Sequence, residues 1–106
     1  MSVLMTLTVD ADPAKLEEIG ASDPDRMTAI LDQAKEHGLI AHRFYGSDDG
    51  RVMVVDEWDS AESFQSFFSE QGEQIGGMMA EAGVTAEPRP EFWRVLDTPD
   101  KYGWGA

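Results

Sequence analysis

The sequence predicts an α+β domain of the split βαββαβ plan, a four-stranded antiparallel sheet with helices on one face. Three observations point there. Four β-rich runs alternate with two stretches of helical periodicity, and the two central runs are joined by Gly46-Ser47-Asp48-Asp49-Gly50, whose glycines and aspartates supply the positive φ angles of a hairpin. Across 106 residues there is no internal repeat, linker or low-complexity tract, so a single domain over 1–106, ending in a tail over 97–106, is expected.

Each element has its own local signal. Val3 to Val9 alternates Val3, Met5, Leu7 and Val9 with Leu4, Thr6 and Thr8, the period of a strand. Asp12-Pro13 caps a short helix with Leu16 and Ile19 as its apolar stripe, and Gly20 is its expected end. Asp23-Pro24 caps the next, where Met27, Ile30, Leu31 and Ala34 recur at helical spacing up to Lys35, His37 and a terminating Gly38. Leu39 to Tyr45 and Arg51 to Trp58 form the hairpin. Asp59-Ser60-Ala61-Glu62 opens a further helix on Phe64, Phe67 and Phe68; Gly72 is expected to interrupt it, and Ile75, Met78, Met79 and Ala82 resume the spacing before Gly83. Pro88 and Pro90 lead into a last strand, Glu91 to Leu96. Tyr102 and Trp104 lie in the tail, where packing against the domain is favoured over a lid.

Charge removes several function classes. With 8 Lys+Arg against 21 Asp+Glu the net charge is −13, which repels phosphate backbones and anionic headgroups, and no local cluster of cations overturns it. Neither nucleic acid nor membrane is an expected partner. Cysteine is absent, so disulfides, thiolate nucleophiles and cysteine-ligated metals are closed off. His37 and His42 fall on either side of the Gly38 break and make poor joint ligands, so no metal site is expected. The first residues lack the basic start and apolar run of an export signal, and a cytoplasmic location is expected.

A hairpin paired symmetrically about Asp48 sorts its side chains into two faces. One shows Leu39, Ala41, Arg43, Tyr45, Arg51, Met53, Val55 and Glu57; the other shows Ile40, His42, Phe44, Val52, Val54, Asp56 and Trp58. The small and aliphatic set around Ala41, Met53 and Val55 is the expected floor for the helices. That leaves the even-numbered face, joined by Thr6 and Thr8, to meet a second copy of the chain, because so apolar a patch does not stand in water. A homodimer through sheet faces, with a lined space between them, follows as the expectation.

In that space His42 is the one strand histidine, and Asp56 is its diagonal neighbour across the hairpin. A carboxylate beside an imidazole can orient or charge it, which is the arrangement of a general base. His42 and Asp56 are therefore the candidate catalytic residues, and Thr6, Thr8, Phe44, Val54 and Trp58 the candidate cavity residues. The plainer alternative is a hydrogen-bonded interface histidine, and a one-residue bulge would separate the pair.

The passage from Val52 through Asp56-Glu57-Trp58-Asp59-Ser60 to Phe64, Phe67 and Phe68 resembles the third-strand-to-second-helix junction of the dimeric α+β barrel superfamily. Within it the antibiotic-biosynthesis-monooxygenase-like (ABM-like) group is most similar. The resemblance implies a ferredoxin-like protomer that pairs sheet to sheet around a small-molecule cavity. It also implies that Trp58 matches the tryptophan lining the pocket of haem-degrading relatives. The second-helix histidine and first-strand asparagine of those relatives have no counterpart, since 60–83 lacks His and the chain lacks Asn; Thr6 or Thr8 stands in the latter region. The expected function is a small-molecule-binding homodimer, read as a monooxygenase or isomerase that uses no metal or other cofactor on a small aromatic or polyketide-like substrate. The alternatives are a non-catalytic ligand-binding or stress-associated protein and a purely structural dimer with a filled interface.

Overall fold

A computed structural model describes residues 1–104, so the last two positions of the tail lie outside the described residues. The chain forms β1 (Val3–Asp10), α1 (Pro13–Ser22), α2 (Pro24–Glu36), β2 (Leu39–Gly46), β3 (Arg51–Trp58), α3 (Ala61–Glu81) and β4 (Glu91–Trp93). The sheet is antiparallel, in the order β2-β3-β1-β4. This is the ferredoxin-like arrangement.

The helix starts follow from side-chain chemistry. Asp12 accepts from the Ala14 amide at 3.0 Å and Asp23 from the Arg26 amide at 3.4 Å, each just before a proline that has no amide to satisfy. Ser60 caps α3 by accepting from the Ser63 amide at 3.1 Å. Contrary to expectation, α3 runs unbroken through Gly72, Gly76 and Gly77. Glycine lowers helix stability by about 1 kcal/mol per position relative to Ala, but Phe64, Phe67, Met78 and Met79 bury one continuous stripe on both sides of the glycines. Packing outweighs propensity here.

The last strand is shorter than expected and ends at Trp93. Its register with β1 explains why: Glu91 faces Thr6 and Trp93 faces Leu4, so the next position meets Val3, the first strand residue of β1. Val95 and Leu96 have nothing to pair with and are exposed. Tyr102 and Trp104 are also exposed, so neither packs onto the domain as the sequence reading favoured.

Two corrections concern the sheet. The hairpin centres on Asp49 rather than Asp48: Ser47 donates its amide to the Arg51 carbonyl at 2.9 Å, and Gly50 takes the left-handed conformation at φ 87°. Hydrogen bonds first from Ser47 and then from Arg51, with the Arg51 charge, hold the Asp49 carboxyl below its ordinary range. A shift of this kind keeps odd with odd and even with even, but it places His42 directly opposite Asp56. A bulge does occur, at Ile40, before His42 in the chain. It turns Ile40 out to solvent and leaves the pair intact.

The second correction reverses the faces. Val52, Val54, Asp56 and Trp58 lie under the helices with Met5, Leu7 and Val9, while Met53, Val55, Thr6 and Thr8 are on the open side. The physical reason is the β1 to β3 register, in which Leu7 faces Val54 and Thr6 faces Val55. No short turn links those strands, so local sequence does not determine that pairing.

Gly46 ends β2 against the start of α1. A Cβ there would lie 2.7 Å from Cβ of Pro13, a rigid ring that cannot swing aside. Gly46→Ala is therefore expected to destabilise by about 1–3 kcal/mol, measured by urea unfolding. An unchanged midpoint would show that α1 shifts at no cost.

Candidate functional site

The site follows from the corrected register. In β2 the side chains of His42 and Phe44 point toward the helices, and in β3 those of Val54, Asp56 and Trp58 do the same. Nδ1 of His42 lies 2.7 Å from Oδ1 of Asp56, and the indole Nε1 of Trp58 donates to Oδ2 at 3.1 Å. Both carboxylate oxygens are thus engaged. A carboxylate only accepts, so the contact assigns the hydrogen to Nδ1, and in the neutral imidazole that tautomer leaves the lone pair on Nε2. The indole adds a second donor that fixes the carboxylate plane, which in turn fixes the imidazole.

Exposure differs sharply along this chain of contacts. Trp58 is fully buried, and the side chains of Asp56 and His42 are 7% and 31% exposed. The histidine therefore stands at a rim, on an edge strand, while its partners are held in the core. Phe44 meets the imidazole edge to face at 4.9 Å between centroids, and Trp58 packs on Phe64 and Phe67 at 5.5 and 5.4 Å.

Above these residues is a cavity of about 260 Å³ between sheet and helices. Met5, Leu7 and Val54 form its floor beside the pair, and Met27, Ile30 and Leu31 of α2 face Phe68, Ile75 and Met78 of α3 across it. Apart from the Trp58 indole, its polar side chains are His42, Asp56 and Thr28. An engineered cavity of about 150 Å³ takes benzene, so this one has room for two fused rings. The arrangement can hold an apolar aromatic body and present one oriented ring nitrogen to an acidic proton.

Five expected site residues, His42, Asp56, Phe44, Val54 and Trp58, thus surround one space, although that space is inside the protomer and not between two sheets. Thr6 and Thr8 do not join it. They are on the open face opposite Val55 and Met53, and Thr6 accepts from the Trp93 indole at 2.9 Å. The Met and Phe stripes of α2 and α3, which the sequence analysis did not include among the cavity residues, also line this space. Their helical spacing marked them as facing the sheet, but only the β1 to β3 register shows that His42 shares that side.

His37 is separate. It ties the end of α2 to α3, with Nδ1 2.8 Å from the Gln33 carbonyl, Nε2 2.9 Å from Oε2 of Glu70 and its ring edge on Phe67. Among the described residues, no group of three or more His, Cys, Asp or Glu is placed to hold a metal ion, and no helix is long and apolar enough to cross a membrane.

No protein-family model and no curated protein matches the sequence. Solved structures do match by fold. A monooxygenase from Streptomyces coelicolor in complex with nanaomycin D is 18% identical, with a TM-score of 0.66 and 93% of each chain covered. A dimeric ferredoxin-like protein from an uncultured marine organism is 18% identical, with a TM-score of 0.65 over 95% of this chain and 93% of that one. A Bordetella bronchiseptica protein, assigned only by name as an antibiotic biosynthesis monooxygenase, is 10% identical, with a TM-score of 0.67 over 90% and 97%. The resemblance read in the β3 to α3 junction therefore holds at the level of fold: the chain has the ferredoxin-like α+β protomer fold found in the ABM-like group of the dimeric α+β barrel superfamily.

Proposed function

We propose that the chain is a homodimeric small-molecule-binding protein that oxygenates a small aromatic or polyketide-like compound without metal or flavin. The observation that carries this reading is the His42–Asp56 pair set in the wall of a largely apolar cavity. Matched structures of a monooxygenase in complex with nanaomycin D and of a dimeric ferredoxin-like protein lend support.

A naphthol-like substrate illustrates the chemistry. Nε2 of His42 takes the phenolic proton, and Asp56 stabilises the imidazolium that forms. The resulting anion transfers an electron to dioxygen, and the pair recombines as a carbon–oxygen bond para to the oxyanion. The imidazolium returns its proton to the peroxide. Loss of the para C–H proton to His42 and cleavage of the O–O bond then release one oxygen as water and leave the other as a carbonyl. Overall, one naphthol and one dioxygen give one quinone and one water. Phe44 and Trp58 exclude bulk water from the intermediate.

The dimer surface in this reading is the open sheet face, where Leu4, Tyr45, Met53 and Trp93 are exposed. A second copy would cover them, with Arg43 and Arg51 sharing the face with Glu57 and Glu91. Met53→Asp is expected to convert a dimer to a monomer in light scattering, with unchanged circular dichroism. A dimer that survives the substitution would place the interface elsewhere.

Oxygen uptake with 1-naphthol in chelator-treated buffer tests the activity. Expected is one dioxygen consumed per quinone formed. Tight binding with recovery of unaltered 1-naphthol would instead favour ligand carriage, the reading to which the largely apolar lining also lends itself.

A further inference from the structure

A second space lies over the roof of the cavity. It is a groove of about 440 Å³ between α2 and α3, and Ile30, half-buried, is the one residue that borders both spaces. The lining changes character across Ile30: below are Met, Phe and Leu side chains, and above are Gln33, Gln71 and Gln74 with Arg26 and Glu73.

We propose that this groove is a subsite for a neutral, hydroxyl-rich substituent, a sugar ring, attached to an aromatic body held in the cavity below. The inference rests on the cavity reading given above and adds the chemical class of what extends from it. Each carboxamide offers two donors and an acceptor, a set that matches hydroxyl groups, which both give and take hydrogen bonds. Gln33 borders the groove, and its backbone carbonyl is engaged by His37.

Charge argues for a neutral group. The Arg26 guanidinium is already closed by Glu81 at 2.5 Å, and Glu73 adds a carboxylate to the same wall, so an anionic substituent meets no uncommitted cation. Ala29, Ile30 and Gly77 provide an apolar strip on which the C–H face of a sugar can lie. Gly77 leaves this strip open, since a Cβ there would find only Nη2 of Arg26, at 3.7 Å. A ligand joining the two spaces would pass beside Ile30, with its free hydroxyl at the His42 end and its sugar in the groove between the helices.

The test compares 1,5-dihydroxynaphthalene with its mono-β-D-glucoside by isothermal titration calorimetry. One hydroxyl stays free for His42 in both compounds. Two or three net hydrogen bonds predict that the glucoside binds about tenfold or more tightly than the parent. Gly77→Leu, which fills the groove from an exposed helical position, is expected to abolish that gain and leave parent affinity within about twofold. Gln74→Ala, a smaller change on the same wall, is expected to lose part of it. A glucoside that binds the wild-type protein no more tightly than the parent overturns the subsite and leaves the cavity reading standing. So does a gain that survives Gly77→Leu, because the sugar then lies elsewhere. If neither compound binds, the cavity reading fails and the subsite fails with it.

Discussion

Replacing His42 with Gln is expected to lower turnover of 1-naphthol by about 10²–10⁴-fold, the usual share of a positioned general base. Affinity is expected to stay nearly constant, because in the proposed reading the ring of the ligand would rest on Phe44, Phe68 and Met78, which line the cavity, and His42 would touch only its acidic end. A split of this kind, with kcat falling and KM held, distinguishes a base from a packing residue. Asp56→Asn is expected to impair the same step by a different route. The amide can present its N–H to Nδ1, which favours the opposite tautomer and places a hydrogen on Nε2, where the lone pair is required. If both variants turn over at the wild-type rate, the pair is structural.

Trp58 is the position where stability is most exposed to change. It has no solvent-accessible surface, it packs on Phe64 and Phe67, and its indole N–H is the donor to Oδ2 of Asp56. Trp58→Ala is expected to cost about 3–5 kcal/mol from the lost side chain and its cavity. A further cost of about 1–3 kcal/mol comes from the buried carboxylate oxygen left without its donor. That sum is a large part of the 5–15 kcal/mol by which a domain is typically stable, so a steep fall in the unfolding midpoint is expected. Trp58→Phe keeps most of the packing and isolates the polar contribution. Urea unfolding followed by far-UV circular dichroism separates them, and a loss below about 1 kcal/mol for Trp58→Ala would contradict the packing described.

Much of this site was legible in the sequence because its signals are local. Asp12, Asp23 and Ser60 mark helix starts through their own side chains, and strand alternation puts His42, Phe44, Val54, Asp56 and Trp58 on one face whichever even shift the hairpin adopts. The direction that face points was not legible. It depends on how β1 aligns with β3, two strands joined through two helices and another strand, and a single-residue change in that alignment exchanges core for surface. The apolar even face was read as needing a second copy when α2 and α3 already cover it. Thr6 and Thr8 were misplaced for the same reason, since they follow Val55 and Met53 to the open side. The unbroken course of α3 was hidden by its glycines, whose cost is local while the stripe that offsets it is tertiary.

The geometry of His42 can be read directly, because the chain has two histidines and His37 is held by Gln33 and Glu70 away from the cavity. Long-range ¹H–¹⁵N correlation of the imidazole nitrogens, recorded without oxygen during titration with 1-naphthol and assigned with a His37→Gln variant, reports each ring separately. Expected is a His42 ring protonated at Nδ1 in the free protein, whose Nε2 resonance moves on binding while His37 stays fixed. A bound ligand that leaves His42 unmoved, or a His42 ring protonated at Nε2 alone, would contradict the assignment of this pair as the base at the cavity wall.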